Sequence, residues 1–272
     1  MKVTSFFEKH PVFQYTEFGE YMSQQGTTRP ESWKCLLNYH HKSGHIIRIK
    51  RGLYAVKPTF INIDQFWIDP FLIAGKAAPD AIIAYHSALE FHGLAYTTFE
   101  EYFFLTEKKG PIFQFENQTY HPVIVPKVLI DLNETNVDVI TISRQGLSIK
   151  ITDVERTIVD VLDRPDLSGG WEEVWRSLDH VIQLNPEKLI HYTLLRNNAT
   201  TVAKVGFFLE QRPQHLAINE RYIKKLLPHI PKKAHYMIRD RNYKGKLFKR
   251  WNLIVPFEII EQQWEEPHAD DI

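Results

Sequence analysis

The stretch HIIRIKRGLYAV, residues 45–56, constrains the fold of this chain more strongly than any other segment. Apolar and polar residues alternate on both sides of Arg51-Gly52, a pattern typical of two antiparallel strands joined by a tight turn. The alternation predicts that Ile47 and Ile49 share one face of the first strand. The other face would carry Ile46, Arg48 and Lys50. A solvated turn at a sheet edge, where Lys and Arg guard against aggregation, would show the same pattern.

The segment before this hairpin, TTRPESWKCLLNYHHKSG, predicts a helix with both ends marked. Thr28 and Glu31 have the spacing of a capping box, in which each side chain bonds to a free backbone N–H. Pro30 would lie in the first turn, where its missing N–H has no consequence, and Gly44 is placed as the C-terminal cap. The helix therefore ends directly before the hairpin begins.

This helix is amphipathic at a period of 3.6 residues. Its apolar stripe consists of Trp33, Leu36, Leu37 and His40. Its opposite face consists of Glu31, Lys34, Cys35, Asn38 and Lys42. One face should therefore pack against the protein, and the other should remain available to a partner.

Two further helices are predicted upstream, so the hairpin follows three helices. Residues 4–9 favour a short helix that stops before Pro11. Thr16 could cap a second helix that ends at Gly26. Three helices followed by a two-stranded hairpin are typical of a winged helix-turn-helix, which we predict for residues 1–57. The third helix would enter the major groove of DNA and the hairpin would reach the phosphate backbone.

The predicted DNA contacts follow from these two elements. Hairpin cations should meet phosphates, whereas Lys34 and Asn38 are candidates for guanine and adenine edges. Arg29 would lie at the helix start, where backbone N–H groups also favour phosphate. A solvated basic face is the plainer explanation, but it does not require a capped helix, a basic hairpin and a charge imbalance to coincide. The complete predicted set is Arg29, Ser32, Lys34, Asn38, Lys42, Arg48, Lys50 and Arg51.

The distribution of charge supports a local anionic partner. The formal net charge is zero, but residues 27–57 carry seven Lys and Arg against one acid, and residues 221–250 carry eleven against one. A patch of one sign acts over about 8 Å at physiological salt, so its position matters more than the net charge. The second basic patch is centred on Lys232, Lys233, Arg239, Arg241, Lys244, Lys246, Lys249 and Arg250.

The remainder of the chain predicts a larger mixed α/β domain, so the fold class is α+β. The segment KPTFINID, residues 57–64, is the predicted linker, and the second domain spans residues 65–257. Two helices, a β-rich centre and five more helices should follow, and then a final hairpin with its bend at Tyr243-Lys244-Gly245. Residues 258–272 form an acidic tail, which we expect to be partly disordered.

The motifs of common enzymes are absent from the sequence. It contains no P-loop, no G-x-G-x-x-G, no H-E-x-x-H and no G-x-S-x-G. Asp153 and Asp160 share a helix face, but an N-cap and an Arg156–Asp160 salt bridge explain them more simply than a metal. The single cysteine, Cys35, excludes an internal disulfide. We therefore predict no enzymatic activity, no metal and no cofactor.

The cellular location of the protein is predicted from the absence of a membrane span and of a signal peptide in the sequence. No apolar run approaches the roughly 18 residues of a membrane span. The N-terminus MKVTSFFEKH shows neither an apolar segment nor a cleavage site typical of a signal peptide. We expect a cytoplasmic protein with no membrane partner, either a monomer or a weak dimer.

Three segments together resemble the AbiEi antitoxins of type IV toxin-antitoxin systems. They are GHIIRIKRGLYAV, AYHSALEFHGLA and ITDVERTIVDVLDRPDLSGGWEEVWRSL, and the resemblance extends to about residue 255. The order of the three segments is more specific than the hairpin alone. The resemblance implies that the N-terminal domain represses the operon of the protein at inverted repeats. It also implies that the C-terminal domain counteracts a co-encoded, nucleotidyltransferase-like AbiEii toxin, with or without direct contact.

Two alternatives to this function remain open. The chain could be a stand-alone winged-helix regulator without a toxin partner, and the adjacent gene would distinguish the two. It could also be a nuclease targeted by a winged helix, which would need paired acids and a lysine along a strand and turn. The second basic patch could extend the DNA contact, face the toxin or a nucleic acid held by it, or form a solvated hairpin.

Overall fold

The computed structural model describes residues 2–57, 67–212, 218–238 and 243–262. The fold is α+β, as predicted. The chain forms two compact units, each assembled from separate stretches of sequence. Unit 1 contains residues 1–83, 100–124 and 140–151, and unit 2 contains residues 84–99, 125–139 and 152–272. Within the described ranges, no helix combines the length and apolar character needed to cross a membrane.

These units differ in outline from the predicted domains 1–57 and 65–257. The N-terminal 57 residues share unit 1 with residues from the middle of the chain. Residues 58–64 of the predicted linker lie outside the described residues, as do residues 263–272 of the predicted tail. The boundary in the linker and the disorder of the tail therefore stay predictions.

Unit 1 begins with three helices and a three-stranded antiparallel sheet. In chain order these are α1 (Lys2–Lys9), β1 (Val12–Gln14), α2 (Tyr15–Gln24), α3 (Pro30–Lys42), β2 (Ile46–Lys50) and β3 (Leu53–Val56). The strand order is β1-β3-β2, so the predicted hairpin gains a third strand from the segment before α2. Buried aromatic residues fill the space between these helices, including Phe6, Phe13 and Phe18.

The three predicted helices are confirmed, but two of the predicted N-caps are wrong. Thr16 lies inside α2, which is preceded by Gln14, and the Gln14 backbone N–H donates to the Glu17 carboxylate at 2.8 Å. At α3 the N-cap is Arg29, one residue after Thr28, so the predicted capping box does not form. A capping box requires its acid three residues after the cap, and this offset moves Glu31 out of that position.

The rest of unit 1 is built around a six-stranded mixed sheet. Its elements are α4 (Pro70–Lys76), β4 (Ile82–Ile83), β5 (Glu101–Thr106), β6 (Phe113–Phe115), β7 (Gln118–Ile124), β8 (Val139–Arg144) and β9 (Leu147–Thr152), with strand order β6-β7-β5-β4-β9-β8. The predicted turn at Gln145-Gly146 is confirmed, and both residues have positive φ, as a tight two-residue hairpin turn requires.

Unit 2 is mainly helical and carries a small sheet near its C-terminal end. Its helices are α5 (His86–Phe91), α6 (Lys127–Asp131), α7 (Val154–Asp163), α8 (Gly170–Asp179), α9 (Pro186–Leu195), α10 (Ala199–Gln211), α11 (Glu220–Leu226) and α12 (Phe257–Ile260). Its strands are β10 (His235–Tyr236), β11 (Gly245–Phe248) and β12 (Leu253–Pro256), in the order β10-β12-β11.

The predicted bend of the final hairpin is wrong. The chain turns between β11 and β12, where Asn252 has a φ of +48°, and not at Tyr243-Lys244-Gly245. Gly245 lies in a strand, where a Cβ would stand 2.5 Å from the carbonyl oxygen of Val255. The glycine therefore permits two strands to approach closely and does not mark a turn.

A close contact between α10 and the loop after β11 fixes the position of the small sheet. Trp251 is fully buried, and a Cβ on Gly206 would stand 2.0 Å from its ring. We expect Gly206→Ala to lower the free energy of unfolding by about 1–3 kcal/mol, because the indole must shift. Chemical denaturation would measure this effect. Gly110→Ala is the matched control, since its Cβ would meet Pro122 at an ordinary 3.5 Å. Equal stability of the two variants would contradict the expectation.

A buried polar network joins α7 to α9. Arg156 is fully buried, and its guanidinium donates to the carbonyl oxygens of Thr135 and Val137 at 3.0 and 2.6 Å. Its Nε lies 3.4 Å from the Asp160 carboxylate, which confirms the predicted i,i+4 salt bridge. The Tyr192 hydroxyl donates to the same carboxylate at 2.8 Å, and burial raises the pKa of Tyr192 well above its usual value. The network therefore stabilises unit 2 internally.

Candidate nucleic-acid interface

Helix α3 presents its polar face because its apolar face is anchored. Leu37 is buried, and the Trp33 indole packs against Gly19 of α2 and donates to the Thr27 carbonyl at 2.6 Å. At the C-terminal end, Gly44 has a φ of +74° and terminates the helix, as predicted. Backbone bonds from residues 44 and 45 to the carbonyls of residues 41 and 40 complete a Schellman motif. The predicted apolar stripe and outward face of α3 are both confirmed.

The turn of the hairpin is held against the start of α2. The Tyr15 backbone N–H donates to the Gly52 carbonyl at 2.8 Å, and the Tyr15 hydroxyl donates to the Pro30 carbonyl at 3.3 Å. Gly52 has a φ of +83°, a conformation that favours glycine at this turn. These bonds place the hairpin turn beside the N-terminal half of α3.

Between α3 and the hairpin lies a cleft of about 420 Å³. Lys34 and Asn38, one helical turn apart on α3, line one side of this cleft, and Arg48 and Arg51 of the hairpin line the other. All four side chains are exposed. No ion pair joins these three cations to any carboxylate of the described residues. The cleft is therefore open, cationic and supplied with one amide that can both donate and accept hydrogen bonds.

Lys50 does not belong to this cleft. Strand β2 contains a bulge, because Arg48 pairs with Tyr54 and Lys50 pairs with Leu53, which leaves Ile49 as the extra residue. The strict alternation predicted for this strand is therefore wrong, and Ile46 and Ile49 are its buried residues. The Lys50 ammonium lies 4.3 Å from the centre of the Phe113 ring on β6, and burial lowers the pKa of Lys50.

The remaining predicted DNA contacts lie outside the cleft. Arg29 and Lys42 are exposed at opposite ends of α3, and Ser32 is half-buried in its first turn. Four residues that were not among the predicted DNA contacts also line the cleft, namely Tyr15, Leu37, Gly52 and Tyr54. Tyr54 could have been predicted from the sequence, because a two-residue turn at Arg51-Gly52 brings it close to Arg48 across the hairpin.

Only some of the cations in the second basic patch form ion pairs with carboxylates. Arg250 forms ion pairs with Glu210 and Glu220. The five lysines at positions 232, 233, 244, 246 and 249 are exposed, and none of them pairs with a carboxylate among the described residues. Arg239 and Arg241 lie outside the described residues.

The acidic residues considered for chemistry are engaged in structural contacts. Asp153 caps α7 by accepting from the Arg156 backbone N–H at 2.9 Å, as predicted, and forms an ion pair with Lys188. The same ammonium lies 3.6 Å from Asp138 and 3.9 Å from Glu155, and so offsets the charge of all three carboxylates. Within the ranges the structure describes, no group of three His, Cys, Asp or Glu side chains is arranged to hold a metal ion.

His86 has a structural role that the sequence analysis did not predict. The ring is fully buried, with Nδ1 3.2 Å from Glu90 and Nε2 3.2 Å from Glu173. Glu173 also accepts from the Thr97 backbone N–H at 2.9 Å. The imidazole therefore joins α5 to α8 inside unit 2. His92 lies elsewhere, with its Nε2 2.7 Å from the Thr152 carbonyl oxygen, so the two histidines do not act together.

Comparisons with known proteins show a likeness of fold and no match of sequence. No protein-family model matches the chain, and no curated protein matches it. The fold is similar to the crystal structure of the RV2827C protein from Mycobacterium tuberculosis, with a TM-score of 0.58 at 14% sequence identity. The likeness covers 97% of this chain and 94% of the other. At this identity the comparison establishes a shared fold and nothing about activity.

Proposed function

We propose that residues 1–57 act as a winged helix-turn-helix that binds double-stranded DNA. The proposal rests on one observation, namely that the cleft brings Lys34 and Asn38 of α3 together with Arg48 and Arg51 of the hairpin. A helix of this kind fits the major groove, where lysine can read guanine acceptors and asparagine can read adenine. Arginines on a neighbouring hairpin would then meet the phosphates that flank the groove.

We further propose that the chain represses its own promoter and acts as the antitoxin of a type IV system. Autorepression and antitoxicity are both implied by the resemblance to the AbiEi antitoxins. The AYHSALEFHGLA and ERTIVD segments that carry the resemblance form most of α5 and α7. His86 and Arg156 from these segments occupy buried polar positions in unit 2. This placement supports a scaffolding role for both segments, on which a partner-binding surface could be built.

Footprinting on the upstream region of the gene, followed by gel-shift titration, tests the proposal. We expect protection of an inverted repeat, with one copy of the chain on each half. Asn38→Ala should weaken binding to this site about tenfold, because an adenine contact is lost, and leave binding to unrelated duplexes almost unchanged. His41→Ala is the matched control, since His41 is exposed on the same helix but does not line the cleft. An equal loss on all duplexes would exclude base reading by Asn38.

A further inference from the structure

The small sheet of unit 2 exposes a row of apolar side chains on one face. Tyr236 of β10 and Leu247 of β11 both lie opposite Ile254 of β12, so the three side chains share that face. Tyr236 is 39% exposed and Leu247 is 42% exposed. The other face of the sheet packs against α10, where the Phe248 and Phe207 rings are 4.7 Å apart. The row thus lies on the face opposite Phe248, and Tyr236, on the edge strand β10, also borders the gap between that strand and α10.

The orientation of Tyr236 is supported by a second tyrosine. The Tyr243 ring lies edge-on to the Tyr236 ring, with centroids 5.7 Å apart and planes at 88°. The Tyr243 hydroxyl donates to the Ile254 carbonyl at 3.0 Å, which fixes this ring to the central strand. Tyr236 is therefore a supported aromatic ring that solvent can reach, in a position where a planar group could stack.

A cleft of about 680 Å³ adjoins the row along β10, a size typical of sites for small ligands. Lys233, His235 and Tyr236 line one side of this cleft, and Thr200 and Lys204 of α10 line the other. The carboxylate in the cleft, Asp163, is already paired with Arg196. The cleft is therefore polar, and its negative charge is largely offset.

Five exposed lysines surround the sheet, and their charge is not offset. Those at positions 232, 233, 244 and 249 lie beside the ends of the strands, whereas Lys246 lies on the Phe248 face, with its ammonium 5.8 Å from the centre of that ring. None of the five forms an ion pair within the part of the chain that the structure describes. The described stretches 231–238 and 243–250 contain no Asp or Glu. A surface with excess positive charge attracts anionic polymers and releases counterions when it binds them.

We propose that this lysine-bordered face binds a single-stranded nucleic acid. Tyr236 would stack on an unpaired base, the cleft beside it would hold the neighbouring nucleotide, and the lysines would meet phosphates. An accessible aromatic ring within a cationic surface is the combination that binds single strands, because every base offers a flat π face. A duplex keeps its bases stacked on one another and cannot offer such a face. The site is distinct from the cleft between α3 and the hairpin proposed for duplex DNA.

The test uses the full chain carrying Lys34→Ala, Arg48→Ala and Arg51→Ala, so that the proposed duplex site contributes little. Fluorescence anisotropy would follow a labelled oligonucleotide of about 12 nucleotides, as RNA, as single-stranded DNA and as duplex. We expect both single strands to bind more tightly than the duplex, and the stronger of the two identifies the natural class. In the same background, Tyr236→Ala should weaken single-strand binding about tenfold, whereas Tyr236→Phe, which keeps the stacking ring, should not.

Controls distinguish this proposal from its alternatives. Thermal unfolding would show whether Tyr236→Ala folds. If that variant does not fold, Tyr236→Leu replaces it in the binding assay, because leucine keeps apolar volume without a flat ring. Unchanged binding by these variants, or tighter binding of the duplex, would overturn the proposal. Binding of labelled polyglutamate at equal strength and without dependence on Tyr236 would point instead to an acidic protein partner, and would also overturn it. Promoter binding by the otherwise unaltered chain should be unaffected by Tyr236→Ala, so failure here leaves the duplex proposal intact.

Discussion

Replacing Lys34, Arg48 and Arg51 together with alanine is expected to weaken binding to duplex DNA on the order of 100-fold at physiological salt. Each cation that meets a phosphate contributes about 0.9 to the slope of log K against log salt. Arg48 and Arg51 are the proposed phosphate contacts, so their removal should flatten the measured slope by about 1.8 for all sequences. The loss of Lys34 should add a further weakening at sites that offer its guanine. Titrations at several salt concentrations would measure both quantities. The three side chains are exposed, so the fold should tolerate their removal.

Lys50→Met provides the sharpest control for this experiment. The sequence predicts that Lys50 is a phosphate contact, whereas the structure places its ammonium 4.3 Å from the Phe113 ring. Methionine keeps the apolar packing on that ring and removes the charge. We expect the salt slope of Lys50→Met to match that of the unaltered chain. A slope reduced by about 0.9 would mean that Lys50 leaves Phe113 and contacts a phosphate when DNA binds. That result would support the phosphate contact predicted from the sequence.

The same triple variant separates the two proposed activities in cells. If repression depends on the cleft and antitoxicity on unit 2, the variant should lose repression of its promoter and still protect cells that express the toxin. A reporter fused to the promoter and a growth assay with the co-encoded toxin would measure the two effects. Simultaneous loss of both would show that DNA binding is required for protection.

Replacing Arg156 with alanine is expected to lower the free energy of unfolding by about 3–5 kcal/mol, the usual consequence of breaking a buried ion pair. The substitution leaves Asp160 buried without its i,i+4 partner and leaves the Thr135 and Val137 carbonyls without their donor. Unmet polar groups in a protein interior are costly, because water cannot replace the lost bond. Chemical denaturation, with the slope checked for constancy, would measure the change.

Arg164→Ala is the matched control for this substitution. Arg164 follows α7 directly and pairs with Asp166, but its side chain is 31% exposed and that of Asp166 is 58% exposed. Solvent screens an ion pair of this kind, so its loss should cost about 1 kcal/mol or less. If both variants lost the same stability, burial of the Arg156 network would not be the cause.

Much of the N-terminal architecture was predictable because its signals are local. The amphipathic period of α3, its Gly44 terminator and the turn at Arg51-Gly52 all lie within a few residues of the features they determine. Strand β1 was missed because three residues are too short to show alternation. The N-caps were misplaced by one or two residues because Gln14 and Arg29, which occupy these positions, are not among the small polar residues that usually cap a helix.

The errors at the candidate site share a different cause. The bulge at Ile49 depends on how two strands pair, and the contact between Lys50 and Phe113 joins residues far apart in sequence. The bend of the final hairpin was misplaced because the burial of Trp251 against Gly206, 45 residues away in the chain, outweighs the local signal of Lys244-Gly245. Periodicity carries no information about contacts at such separations.

The division of each unit into several stretches of sequence determines how the protein can be dissected. A fragment that stops at residue 57, or even at residue 83, would omit β5 to β9 and leave the first unit without most of its sheet. The fragment that stops at residue 83 would leave β4 without its neighbours β5 and β9, and unpaired strand edges favour aggregation. Activities should therefore be separated by point substitutions in the intact polypeptide, and during synthesis the first unit has to await residues up to 151 before its strands can all assemble.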